Sequence, residues 1–214
     1  MSLSLFAVLD NYAIRLFWKR PDGSRIGTFA ALNELTAESG ESPVFATNAG
    51  IFDTTFSPCG LFVEDGHELV PLNLKDGIGN FFLKPNGVFL IDQTGAAAIV
   101  ESSEYPSLAT KPRLAIQSGP LLLRRSQINS QFSIDSTNRR IRSGVGVVST
   151  NNIIFVLSRD RVTFHEFAVF FRDQLKCQDA LYLDGEISKF YPDADHPSDR
   201  SDDFAGMFAV TVRK

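Results

Sequence analysis

Ala180-Leu181-Tyr182-Leu183-Asp184-Gly185-Glu186-Ile187-Ser188 is an apolar run that stops at an Asp-Gly pair and continues at once into a second carboxylate and a hydroxyl. A continuous apolar run of that length reads as a buried strand. The Asp-Gly step reads as a tight turn where the strand leaves the core. Polar groups at such an exit are held by a rigid strand yet face a cleft, which suits catalysis or ligand binding. Taken alone, the stretch fits equally well an Asp184 that only makes the turn.

Three further strand exits share the design. Val44-Phe45-Ala46-Thr47-Asn48-Ala49-Gly50-Ile51-Phe52-Asp53 is an apolar run interrupted by turn-forming polar residues, and Leu114-Ala115-Ile116-Gln117-Ser118-Gly119-Pro120-Leu121-Leu122-Leu123 repeats it. Arg139-Arg140-Ile141-Arg142-Ser143-Gly144-Val145-Gly146-Val147-Val148 puts three arginines at the mouth of another strand. A glycine inside a strand pattern marks a bulge or the close approach of another backbone or a ligand. Four such interruptions, one of them cationic, point to a site more than to coincidence.

Outward from these exits the chain reads as a succession of hairpins. Phe62-Val63 and Leu69-Val70 flank Glu64-Asp65-Gly66-His67, Phe81-Phe82-Leu83 and Val88-Phe89-Leu90-Ile91 flank Lys84-Pro85-Asn86-Gly87, and Val145 to Val148 and Ile153 to Leu157 flank Ser149 to Asn152. One strong helix is expected from Phe164 to Lys176. Thr163 and Glu166 have the capping-box spacing, and Phe164, Phe167, Ala168, Phe171 and Leu175 share one face. An earlier helix spans Thr28 to Ser39, and a last strand Met207 to Val212. The expected fold is therefore α+β, a twisted, mostly antiparallel β-sheet core with packed α-helices. No internal repeat or linker divides the chain, so residues 1–214 are expected as one domain: an N-terminal strand and helix region over 1–42, a motif-bearing core over 43–191, and a surface loop or lid over 192–203, rich in Asp, Pro and Ser.

A chain of 214 residues buries a substantial core without staples, and its nineteen phenylalanines cluster in the candidate strands. A net charge of −4 and a pI near 5.4 lack the basic face of a general nucleic-acid binder. No apolar run is long enough to span a membrane as a helix. Cys59 and Cys177 are compatible with a disulfide or with two buried thiols, and no Cys or His spacing fits structural zinc. His67, His165 and His196 are scattered outside any motif, which excludes a Ser-His-Asp hydrolase reading. Oligomeric state is not legible.

The motifs Asn48-Ala49-Gly50-Ile51-Phe52, Gln117-Ser118-Gly119-Pro120, Arg142-Ser143-Gly144-Val145-Gly146 and Leu183-Asp184-Gly185 occur in that order, and as a set they resemble the phosphodiester glycosidase family. Phe56 to Leu61 and Gly79 to Val88 resemble its small bacterial branch, and the resemblance runs over about residues 43 to 191. Two departures stand out. The family's Asp-Gly-Gly-Gly-Ser is here Asp184-Gly185-Glu186-Ile187-Ser188, stiffer and more acidic, and its Asp-Gly-Arg is represented only by Ser158-Arg159-Asp160-Arg161.

The resemblance implies a hydrolase that cleaves a sugar-1-phosphodiester, or a related substituted sugar, at the anomeric carbon, on envelope glycans. Such cleavage passes through an oxocarbenium-like state with a good leaving group, so strong general-acid help is less needed than a carboxylate that activates water or attacks the carbon. Asp184 is the expected carboxylate, with Glu186 as partner or substitute, and Arg142 the expected holder of the phosphate. Asn48 and Ser118, helped by the amides of Gly50 and Gly119, are expected to bind sugar or phosphate, with Ser143 and Ser188 as further contacts. Asp53 and Asp160 are additional acids that also read as turn residues. A metal-free, cofactor-free site is expected, with Ca²⁺ or Mg²⁺ invited only if Asp53, Asp184 and Glu186 converge. The ligand is a carbohydrate or sugar phosphodiester in either of two classes, an enzyme or a glycan-binding module that keeps the pocket without turnover. Met1-Ser2-Leu3-Ser4 lacks an export-signal pattern. The resemblance implies a periplasmic or extracellular protein whose signal has been removed, and a cytoplasmic chain would begin the same way.

Overall fold

Strand β13 (Asp179–Asp184) is buried on both faces, and each face meets a different partner. Leu181 and Leu183 enter one apolar cluster while Ala180 and Tyr182 enter another, as the two-residue period of a strand requires. The computed structural model, which describes residues 2–8, 10–11, 13–109, 111–192 and 204–213, carries this division through three sheets. The expected loop or lid over 192–203 lies, from 193 onward, outside the described residues, as does His196.

The six-stranded sheet around β13 runs in the order β1 (Leu3–Val8), β12 (Asn152–Ser158), β11 (Ser143–Ser149), β13, β9 (Leu121–Arg124) and β10 (Gln127–Ile128). A four-stranded sheet runs β14 (Phe190–Tyr191), β3 (Glu41–Asn48), β15 (Met207–Arg213) and β2 (Ile14–Phe17). A five-stranded sheet runs β5 (His67–Val70), β4 (Phe62–Glu64), β8 (Pro112–Ser118), β6 (Gly87–Asp92) and β7 (Ala97–Glu101). Every pairing among the described strands is antiparallel.

All three sheets bury one face in a shared core that includes Phe45, Phe62, Phe89, Phe155, Leu181, Leu183 and Phe208. Phe155 sits at its centre, with ring centroids 5.3 Å from Phe45 and 5.2 Å from Phe208. Offset and edge-on aromatic pairs of this kind add to simple area burial, which accounts for the phenylalanine enrichment.

The outer faces take the helices. Helix α1 (Phe29–Glu38), capped by the Thr28 side chain on the Ala31 amide, lays Phe29 and Leu32 over the four-stranded sheet. Helix α2 (Phe164–Val169) starts with the expected Thr163–Glu166 capping box and covers the six-stranded sheet with Phe167 and Ala168, and Phe171 just beyond it joins the same cluster. Its expected run to Lys176 is shorter: the α-helix ends at Val169 and a single π-helical turn, Phe170–Gln174, follows. Packed helices are therefore a minor part of this architecture. Among the described residues it is a mostly antiparallel β structure with two α-helices of ten and six residues.

The glycines of the Ser143-Gly144-Val145-Gly146 stretch serve that helix contact. A Cβ at Gly146 would lie 2.6 Å from Cys177 Sγ and 2.8 Å from the Phe171 ring, and one at Gly144 would lie 3.1 Å from Phe167. They let α2 approach β11 more closely than any side chain would allow. Cys59 and Cys177 are both free thiols, pushed by burial to about 11 and about 12 respectively.

One expected hairpin is corrected. Residues 81–83 do not pair with β6, since Asn80–Phe82 is a 3₁₀ turn that drives Phe81 into the interior. Strand β6 pairs instead with β7 and β8. The β6–β7 turn is closed by Asp92 Oδ1, which accepts from the Thr94 and Ala96 amides at 2.8 and 3.0 Å. A carboxylate fixing its own turn competes well with a Pro-Asn-Gly signal five residues earlier.

Candidate functional site

The ends of β3, β8 and β13 and the start of β11 meet at one place, because antiparallel pairing brings an exit beside an entry. Ser143 opens β11 directly opposite Asp184, which closes β13, and a register shift falls between Ser143 and Gly144. Bulges of this kind re-aim side chains at a sheet rim. Strand β14, reached through the Asp184–Ser188 turn, pairs Phe190 with Thr47 and so brings that turn back to Asn48.

The side chains there form a buried polar knot. Asn48 Nδ2 donates to Ser143 Oγ at 3.0 Å, and Ser188 Oγ donates to the Asp184 carbonyl at 2.8 Å and lies 3.1 Å from Ser143 Oγ. Thr47 Oγ1 donates to the Lys189 carbonyl at 2.9 Å and lies 3.2 Å from Asn48 Oδ1. Ser118 Oγ donates to the Leu183 carbonyl at 3.3 Å. Gly50 sits at φ +101°, a left-handed conformation that favours glycine, beside Ser118 and the Gln117 carbonyl. Gly119 is wedged against Asn86 Cβ and the Phe81 carbonyl.

Asp184 is buried, and that burial raises its carboxyl above the usual carboxylate range. The amides of Glu186, Gly185 and Ile187 oppose the rise by favouring the ionised form, and the Glu186 charge adds to it. Oδ1 accepts from the Gly185 amide and, at 2.7 Å, from the Glu186 amide. The turn therefore orients the acid while leaving it buried. Glu186 itself is exposed.

Arg142 is the largest fully buried side chain, at 1% exposure, and its guanidinium has no ion-pair partner among the described residues. Nε donates to the Val162 carbonyl at 2.9 Å and Nη2 to the Asn138 carbonyl at 3.0 Å, while the Phe164 ring lies 3.7 Å from Cζ. Burial lowers its pKa, yet a guanidinium stays charged across the range proteins experience. The Tyr182 hydroxyl joins it. Burial and the Asp184 charge push that phenol up, while the Arg142 charge and hydrogen bonds to Arg142 and Asn80 pull it down.

Sequence reasoning passed over Tyr182 and Asn80. Tyr182 stands inside an apolar run and reads as core, and Asn80 lies in a stretch singled out with no role. The available signal was a lone phenol two residues before the Asp-Gly step. Asp53 lies apart from the knot. It is exposed and spends its carboxylate on its own turn, with Oδ1 accepting from the Thr55 and Ser57 amides at 2.8 and 3.1 Å. Asp160 also sits outside the knot, accepting from the Ser2 amide at 2.6 Å and lining a cavity of about 490 Å³ with Ile134, Arg139, His165 and Glu166. The convergence of Asp53, Asp184 and Glu186 that would invite a cation does not occur, and no three His, Cys, Asp or Glu side chains cluster as a metal site among the described residues. Among those residues no helix is long and apolar enough to cross a membrane.

Comparison with known proteins places this arrangement among relatives. A family model described as phosphodiester glycosidase matches residues 41–201. The uncharacterized protein YigE of Escherichia coli K12 is 35% identical over 180 residues, covering 83% of this chain and 69% of YigE. Among solved structures, the catalytic domain of zebrafish N-acetylglucosamine-1-phosphodiester alpha-N-acetylglucosaminidase, auto-inhibited by its pro-peptide, superposes with a TM-score of 0.65 at 16% identity, covering 98% of this chain and 82% of that one. A Burkholderia pseudomallei protein thought to be exported gives a TM-score of 0.60 at 12% identity, covering 97% and 73%. At such identities the likeness is one of fold.

Proposed function

This chain belongs to the phosphodiester glycosidase family, and we propose that it hydrolyses a sugar-1-phosphodiester, or a related substituted sugar, at the anomeric carbon. Membership and the shared fold support a glycosidase-type activity. The observation that carries the finer reading is a buried carboxyl at Asp184, raised by burial, in the same site as a buried Arg142 that has no ion-pair partner among the described residues.

Burying a guanidinium without an acid is costly, and carbonyls and an aromatic face offset that cost only in part. An anionic ligand completes such a site, and a phosphodiester supplies the charge. Asp184, aimed by the Gly185 and Glu186 amides, is the group that attacks the anomeric carbon or activates water. Arg142, with Tyr182 between it and Asp184, stabilises charge gathering on the departing phosphate. Asn48, Ser143 and Ser188 set the polar floor, and Glu186, exposed on the turn, is the second carboxylate. A periplasmic or extracellular address is part of the same proposal, checked by fractionating the native host.

A second reading has its own support. Asn48, Ser143 and Ser188 already satisfy one another, as expected of a glycan-binding module that keeps the pocket and has no turnover. One experiment separates the two. Hydrolysis of N-acetylglucosamine-1-phosphodiesters and related sugar phosphodiesters is compared for wild type, Asp184→Asn and Arg142→Ala. Sugar release by wild type, lost in both variants while they remain folded, is the expected result. Saturable sugar binding with no release from any substrate would replace the enzyme with the binding module.

A further inference from the structure

Two loops beside the polar knot hold aliphatic side chains out in water. Ile78 is 99% exposed and Ile134 is 75% exposed, whereas every other exposed large aliphatic among the described residues is at 48% or below. Leu74, at 48%, shares the first loop with Ile78. A single exposed aliphatic needs no explanation. These belong to loops that are joined to each other and that run straight into the site.

The joint is Lys84. Its Nζ donates to the Leu74 carbonyl at 3.2 Å and pairs with Asp76 at 2.5 Å, fastening the loop that carries Ile78. Its carbonyl accepts from Gln131 Nε2, fastening the loop that carries Ile134. Ile78 is two residues from Asn80, which bonds Tyr182, so the two lie within about 7 Å along the chain. Ile134 is four residues from Asn138, whose carbonyl holds Arg142, within about 14 Å.

Within the two loops themselves cations outnumber acids, although Asp160 and Glu166 stand with Arg139 and Arg161 on the cavity beside Ile134. The two loops carry Lys75, Lys84, Arg139 and Arg140 against Asp76 and Asp135, in a protein whose net charge is −4. Lys75 and Arg140 are exposed, and Arg139 is held by a donation to the Arg161 carbonyl at 3.3 Å and by an exposed pair with Glu166 at 2.7 Å, a pair that a competing anion displaces readily. Aliphatic tips flanked by cations match the boundary between acyl chains and anionic headgroups.

We propose that this rim docks on an anionic lipid bilayer, with Ile78, Leu74 and Ile134 entering the interface and Lys75, Arg139 and Arg140 against the headgroups. Docking presents the mouth beside Asn80 and Tyr182 to molecules anchored in that bilayer, and it does not depend on the proposed hydrolysis.

The test is co-sedimentation of the whole chain with phosphatidylcholine vesicles, with and without phosphatidylglycerol. The expected result is binding to the anionic vesicles, weakened by salt, and reduced at least about tenfold in the Ile78→Ser/Ile134→Ser double variant. Val148→Ser, at the opposite end of β11, should bind as wild type does. Thermal melting of each variant confirms that the fold is kept. Because no substrate is present, a failed hydrolysis assay leaves this result standing, and the reverse holds too. Absence of vesicle binding, equal binding to neutral vesicles, or undiminished binding by the double variant would overturn the proposal. A dimer seen by sedimentation velocity without vesicles, and abolished by the same double substitution, would assign the rim to a second copy of the chain and overturn it as well.

Discussion

Gly146→Ala tests whether the glycines of the Arg142–Gly146 motif serve packing or ligand approach. The added methyl would lie 2.6 Å from Cys177 Sγ and 2.8 Å from the Phe171 ring, where ordinary contact lies near 3.5–4.0 Å. The π-helical turn carrying Phe171 must retreat by about 1 Å, and overpacking on that scale costs about 1–3 kcal/mol. Restricting the unfolded chain returns about 0.4–1 kcal/mol, leaving a net loss of roughly 1–2 kcal/mol. For a chain of this length each kcal/mol moves Tm by about 2–4 °C. Urea unfolding followed by the single tryptophan, Trp18, measures the change directly. Cys177→Ala removes the nearest obstacle, so the double variant should show a favourable coupling of at least about 0.5 kcal/mol. If Gly146→Ala keeps wild-type stability while sugar-phosphodiester turnover falls tenfold, the packing argument is wrong and the glycine serves the ligand.

Two pH-dependent predictions follow from carboxyls raised by burial. Asp184 binds its proton more tightly folded than unfolded, so wild type loses stability as pH rises from the unfolded value near 3.8 through the folded one. Asp184→Asn keeps an oxygen for the Gly185 and Glu186 amides and should match wild type in acid but melt higher at neutral pH, and an equal Tm difference at both would refute the assignment. Glu64, half-buried at the end of β4, is raised by burial and by the Asp65 charge from 4.5 to about 7. A fully dry group would lose about 3 kcal/mol across that window, and water contact cuts this to about 1 kcal/mol. Glu64→Gln should therefore gain stability over wild type only as pH rises from about 4.5 to about 7, and chemical denaturation at several pH values gives the curve.

Much of the site was legible because its physics is local. A buried strand that ends in Asp-Gly or Asn-Ala-Gly advertises where its chain leaves the core, and Asn48, Ser118 and Asp184 are found at such exits, with Ser143 at the entry beside them. Capping chemistry was equally legible: Thr28 and Thr163 start the helices that their spacing predicts. What stayed hidden is non-local. Arg142 was marked by its motif, but its deep burial was not, because the carbonyls that hold it come from Val162 and Asn138, on segments no periodicity connects to it. Tyr182 reads as core because strand alternation cannot distinguish a ring that packs from one whose hydroxyl also bonds. The misread hairpin has the same origin. Asn86-Gly87 is a sound turn signal, but the partner of β6 was decided by β7 and β8 in the sheet register.

Asp184 and Arg142 stand on neighbouring strands and are opposite in charge, yet they do not pair. Had they paired, the arginine would hold the carboxyl below its usual range; burial instead keeps it above. The separation follows from strand geometry. Arg142 precedes the register shift at the mouth of β11 and turns toward the α2 face, onto Phe164, whereas Asp184 is turned by its own amide bonds at the end of β13. Tyr182 lies between and is moved in opposite directions by the two charges. A fold under selection for stability alone would close that gap or fill it with apolar side chains, because neutralising or replacing buried charges is the less costly state. Keeping the Arg142 guanidinium buried with no acid paired to it among the described residues lowers the stability of the empty protein, and an anion bound at that guanidinium would recover part of that energy.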